Sequence, residues 1–217
     1  MSNFNKNWRP TRAGPASSHL GDRADELRKA LRLLDPELVA ARSGISYSAP
    51  DPGHGEFRFP LWGESVFVSW PNLTCNDKNG DEYPPLIGAL LLYYLVTSDG
   101  SPLTGKWVSF ADLPDGRTYS QAFQGYTGNE IVRAFGLDLD AFKSACVKAG
   151  GEAMSLGDAS FSFRPLPRLA LLVTYWLGDE DFPSSCKILF DSSAAHYLPI
   201  DGCAILGSML TGKLTKS

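Results

Sequence analysis

Three consecutive acids, Asp179-Glu180-Asp181, follow an apolar run in "WLGDEDFP" at residues 176–183. In an extended chain Asp179 and Asp181 point the same way, about 6.6 Å apart at about 3.3 Å per residue. An inverting glycosidase holds its two carboxylates at such a separation, but from separate elements facing across a cleft. Adjacent oxygens suit a cation better, yet the Asp-x-Asp-x-Asp-Gly spacing of a calcium loop is missing here. The plainer expectation is a charged turn that keeps one end of a hairpin in water between two very apolar strands. Trp176 and Phe182 would anchor its two sides in the core. Asp179 and Glu180 would then be available for recognition at the rim.

A second group lies in "LFDSSAAHYLP", where Asp191, Ser192, Ser193 and His196 supply orienter, nucleophile and base types within six residues. Catalytic triads are defined by geometry and are usually dispersed along the chain, and no Gly-x-Ser-x-Gly elbow exposes a serine. The structural alternative is Asp191 or a serine capping a turn that carries His196. His54, between two glycines in "PDPGHGE", stands in a predicted loop. Imidazole ligates iron or cobalt well, so His54 and His196 are the candidate metal ligands. Trp62, Trp70, Trp107 and Trp176 with Tyr93, Tyr94, Tyr119 and Tyr175 have the bulk to line a flat apolar pocket, although such residues more often build core. Phosphate-binding glycine loops, His-Glu-x-x-His helices and dinucleotide fingerprints do not occur.

The chain that must position these groups has 217 residues, a hydrophobic fraction of 43% and a net charge of −4. That length predicts one domain. The charge provides neither the basic stripe of a nucleic-acid binder nor attraction to an anionic membrane. Four cysteines contain no Cys-x-x-Cys pair, which predicts buried free thiols rather than a zinc or cluster site. The polar start lacks a secretory apolar stretch, and the run Leu86–Val96 is too short for a bilayer, which needs about 20 residues. The expected location is the cytoplasm.

Residues 1–18 read as a polar N-terminal arm and 19–217 as the domain. Leu20, Ala24, Leu27, Leu31 and Leu34 form one helical stripe. Asp35-Pro36 starts a second helix and Gly44 stops it. Alternation at Phe57, Phe59 and Leu61, followed by "SVFVSW", predicts a hairpin. An apolar helix spans 86–97, and "KWVSFADLP" opens on a short strand. Helices are predicted over 118–135 and 138–149. "ASFSFRP", "LALLVTYWL" and "CKILFD" read as strands, the middle one central because it is apolar on both faces. A last helix covers 201–213. Short links between the last three strands require antiparallel neighbours. The expected class is α+β, a mixed, mostly antiparallel sheet packed with helices in a single domain.

Two segments carry a family resemblance. Trp107, Phe110, Leu113-Pro114 and Tyr119 stand in the first; Pro167, Asp179-Glu180, Phe182, Leu189-Phe190-Asp191 and His196 stand in the second. In these the chain resembles the domain-of-unknown-function family numbered 3786, found mainly in anaerobic bacteria and archaea, over most of residues 45–212. Some members are fused to an iron–sulfur segment like that of corrinoid proteins, and the closely spaced cysteines of that segment do not occur here. The resemblance implies anaerobic cofactor metabolism. The expectation is an accessory or ligand-binding protein that handles a corrinoid or haem-like tetrapyrrole, with a redox protein as a further partner. Its candidate ligand-binding residues are His54, Trp107, Tyr119, Asp179, Glu180, Asp191 and His196. The alternatives are a hydrolase using the 179–181 carboxylates or His196, and an interaction module without small-molecule chemistry.

Overall fold

The computed structural model describes residues 23–216, so the predicted arm and Leu20 lie outside the described residues. Helix α1, Ala24–Leu31, buries Leu27 and Leu31, and Ala24 and Leu34 pack beside them, as the stripe requires. Helix α2, Pro36–Ser43, begins where Asp35 Oδ1 accepts the N–H groups of Glu37 and Leu38. It ends at Gly44, whose φ of 67° is the left-handed conformation that closes a helix.

The strands then divide between two sheets. Strands β1 (Ser46–Asp51), β2 (His54–Leu61), β3 (Glu64–Trp70) and β4 (Cys75–Asp77) form a four-stranded sheet in that order. Strands β5 (Trp107–Ser109), β6 (Glu152–Met154), β7 (Ala159–Leu166), β8 (Leu169–Trp176) and β9 (Ser185–Asp191) form the second, ordered β5-β9-β8-β7-β6. Every ladder is antiparallel. The α+β class is as expected. The division into two sheets was not legible, because alternation shows that a segment is a strand and not which sheet it joins.

Between the sheets in sequence runs helix α3, Pro85–Thr97, buried at every residue from Ile87 to Leu95. Its Tyr94 is central: the hydroxyl donates to Ser43 O at 2.6 Å and accepts from Arg168 N at 3.0 Å. Those two bonds tie the end of α2 to the β7–β8 turn. Helices α4 (Ser120–Tyr126), α5 (Gly128–Phe135), α6 (Leu139–Lys148) and α7 (Ile200–Thr215) complete the core. The single helix predicted over 118–135 is broken near Thr127, whose hydroxyl bonds back to Phe123 O at 2.5 Å. Among the described residues no helix is long and apolar enough to cross a membrane.

The sheets join at one end of the β2–β3 hairpin. Its two-residue turn, Trp62-Gly63, has φ of 52° and 81°, the primed geometry that matches strand twist. Asn is the usual first residue, and a tryptophan there costs about 1–2 kcal/mol. The expense is offset by burial of the indole against Phe163 and by Trp62 N donating to Pro165 O at 2.8 Å, a bond from the first sheet to β7.

Strand β8 is central, flanked by β7 and β9, and Leu171 on it is fully buried in the core. Leu171→Ala should cost about 2–5 kcal/mol in chemical denaturation. A loss under about 0.5 kcal/mol would contradict a close-packed β8.

Candidate functional site

Asp191 ends β9 and pairs in register with Trp107 at the start of β5. The residue is 2% exposed, and its carboxylate accepts from five donor groups. Thr104 gives its N–H at 3.1 Å and its hydroxyl at 3.0 Å, Gly105 its N–H at 2.7 Å, and Ser193 its N–H at 2.9 Å and its hydroxyl at 2.7 Å. Burial pushes the pKa up, but the donors from Ser193, Thr104 and Gly105 outweigh it and hold the carboxyl below its ordinary value. Asp191 closes the turn that precedes the helical turn Ala194–His196 by accepting from Ser193 N, while the residue at the cap position of that helical turn, Ser193, makes no side-chain capping bond. Ser192 Oγ meets Thr104 Oγ1 at 2.8 Å, and Lys106 O accepts from Ser192 N. In this way the segment after α3, residues 98–106, is fastened along the end of β9.

The far end of that segment is held by His196. Its Nδ1 lies 2.6 Å from Asp99 Oδ2 and 3.3 Å from Ser101 Oγ. Tyr197 also donates its hydroxyl to Ser101 O. The Ser101 N–H, then His196 and the Ser101 hydroxyl, hold the Asp99 carboxyl at about 2. Serine, histidine and aspartate thus meet, but not as a triad. Both partners share Nδ1, and an Nδ1–H given to Asp99 cannot accept the serine proton. The sequence reading missed Asp99 and Ser101, which stand 97 and 95 residues from His196.

Segment 98–106 also walls an open cleft of about 530 Å³ between the sheets. Leu103 and Gly105 line one side, Trp62 of the β2–β3 turn another, and Trp107 and Asp191 the end of the second sheet. Glu152 of β6 and Arg164 of β7 lie at its exposed rim. Of the predicted residues, Trp107 and Asp191 come together here. Trp62, predicted only as one of eight aromatic candidates, joins them.

The others lie elsewhere. His54 is the exposed first residue of β2, in the β1–β2 hairpin rather than in a free loop, and its side chain makes no hydrogen bond or ion pair among the described residues. Tyr119 is exposed before α4, outside the cleft lining. Trp70 packs edge-on to Phe57. Asp179, Glu180 and Asp181 form an exposed turn in which Asp179 Oδ1 accepts from the N–H groups of Asp181 and Phe182. Phe182, expected in the core, is 73% exposed: the carboxylate cap and the Asp179 N–H to Phe182 O bond close the turn without an anchor.

Metal chemistry finds little support in the side chains. Among the described residues no group of three or more His, Cys, Asp or Glu is placed to hold a metal. Residues 77–81 run Asp-x-Asn-x-Asp, but Glu82 and Gly88 occupy the positions where a calcium loop needs Gly and Glu. The four cysteines are buried free thiols. Burial pushes Cys75, Cys146 and Cys203 up to about 12, and Cys186 also upward. They are protonated at neutral pH and poor nucleophiles or ligands.

Residues 35–213, from the cap of α2 into α7, match the family described as Domain of unknown function (DUF3786). The chain belongs to that family. The DUF3786 match takes in both sheets, the 98–106 segment and the whole cleft lining. Comparison with curated proteins and with solved structures gives no match.

Two outcomes follow from this geometry. Asp191→Asn swaps an acceptor oxygen for a donor that faces N–H groups, and should destabilise by about 2–3 kcal/mol at pH 7. Because the folded pKa is depressed, the parent's advantage is complete above the unfolded pKa of about 3.9 and is lost as pH falls through the folded value. The stability gap between the parent and the Asn variant should therefore be constant near neutral pH and narrow as pH falls below about 3.9, and a gap that widened on acidification would refute the ionised carboxylate. Changing Asp179, Glu180 and Asp181 to Asn, Gln and Asn should shift stability by no more than about 0.5 kcal/mol. A marked gain in stability would mean that the acids are crowded.

Proposed function

We propose that this DUF3786 protein is a ligand-binding module that seats a flat, conjugated organic ligand in the cleft between its sheets. The observation that carries this is the pairing of Trp62 and Trp107 on the lining of one cleft, with Asp191 beside them. A volume of about 530 Å³ suits a compact organic ligand, since such sites span about 300–1,000 Å³. Tryptophan faces favour planar ligands because stacking needs area rather than particular polar partners. Binding is favoured over hydrolysis by the state of the polar groups. The 179–181 acids cap their own turn, and His196 addresses its serine and its aspartate with one nitrogen.

The corrinoid or haem-like cofactor implied by the family resemblance is the largest ligand this proposal includes. Neither His54 nor His196 lines the cleft, so a tetrapyrrole seated there would take no axial ligand from them.

Titration with haemin and with aquocobalamin, followed by the Soret or corrinoid band and by tryptophan fluorescence, tests the tetrapyrrole form. Saturable binding is expected with at least one of them. His54→Ala and His196→Ala should leave its spectrum unchanged, while Trp107→Ala should weaken it about tenfold. A band shift in either histidine variant, with Trp107→Ala silent, would move the site out of the cleft. Failure of both compounds to bind would set the tetrapyrrole aside.

A further inference from the structure

The cleft is aromatic, and its charge is uneven. At the rim, Glu152 and Arg164 are both exposed and offset one another. Lys213 places its ammonium 5.6 Å from the centre of the Trp62 ring, but it is not part of the lining, and the Glu64 carboxylate acts on it. The third charged side chain of the lining, Asp191, is buried, and with two acids against one base the lining carries a net negative charge. Among the described residues no basic side chain forms an ion pair with Asp191. Its charge is held by N–H and O–H dipoles alone, which lower its energy without cancelling its field.

The two oxygens of Asp191 are not equally occupied. Oδ1 takes both Ser193 donors and the Thr104 hydroxyl, at 2.7–3.0 Å. Oδ2 takes Gly105 N at 2.7 Å and shares Thr104 N at 3.1 Å. The lone pairs of both oxygens are thus met from within the chain, and Asp191 acts on the cleft through its charge rather than through a further hydrogen bond. A buried negative group in the same lining as Trp107, whose ring face is also negative, attracts a cation by both terms.

We infer that the cleft takes a flat aromatic cation, a ring that carries a positive charge toward Asp191 and stacks on Trp107. This rests on the cleft being a ligand site, as proposed above, and adds the sign of the ligand's charge. An aromatic carboxylate of the same size meets Asp191 as a like charge and is rejected.

Calorimetric titration of the full chain with N-methylquinolinium and with 2-naphthoate, two bicyclic ions of opposite charge, tests the sign. N-methylquinolinium should bind at least tenfold more tightly at low ionic strength, and the ratio should shrink in 0.5 M NaCl as the field is screened. Trp107→Leu should weaken it about tenfold. Arg164→Gln, at the exposed rim, should strengthen it by removing a like charge. The salt series uses the unaltered protein and so does not depend on any variant folding. Equal or tighter binding of 2-naphthoate, still weakened by Trp107→Leu, would overturn the charge assignment and leave the cleft as a ligand site. Absence of binding by both ions would overturn this inference and, if haemin and aquocobalamin also fail, the ligand site with it.

Discussion

The carboxylate of Asp191 is the constraint from which the site follows. A buried ion costs several kcal/mol unless its lone pairs are met, and here five donors from two chain segments meet it. Segment 98–106 has no regular secondary structure to fix its path. It is positioned because its Thr104 and Gly105 N–H groups have their acceptor at the end of β9. At its other end, His196 and Tyr197 hold Asp99 and Ser101. One acid thereby turns an irregular connection into the wall of a cleft.

The opposite wall depends on the junction of the sheets. Trp62 adopts a left-handed backbone that disfavours it, and the surroundings compensate by burying its ring and accepting its backbone N–H at Pro165 O. Strained positions of this kind persist where neighbouring structure over-determines them, and they collect at binding sites. Here the strained turn carries the bond from the first sheet to β7 and sets the Trp62 ring on the lining of the cleft.

Most of the fold was legible in the residues. The stripe of α1, the helix start at Asp35-Pro36, the Phe57-Phe59-Leu61 alternation and the apolar β8 are local patterns, and each appears where predicted. Short edge strands such as β4 and β6, three residues each, carry too few positions for alternation to show. The site was half legible. Asp191 and Trp107 stood out by type, but their pairing across the ladder depends on strand order. Asp99 and Ser101 had no local signal at all, because what gives them a role is a histidine nearly a hundred residues away. The acidic turn showed the reverse error. Its composition predicted exposure correctly, while the anchoring role given to Phe182 assumed that every large apolar residue finds a core, and single exposed ones are common.

The chain has five tryptophans, at 8, 62, 70, 107 and 176, and their indole N–H resonances in a nitrogen-15 labelled sample report separately on the cleft and on the rest of the surface. Titration with N-methylquinolinium should move the Trp62 and Trp107 resonances together along one saturation curve while those of Trp70 and Trp176 stay in place. Movement of Trp70 or Trp176 with Trp62 and Trp107 unchanged would contradict a ligand site organised by Asp191 between the two sheets.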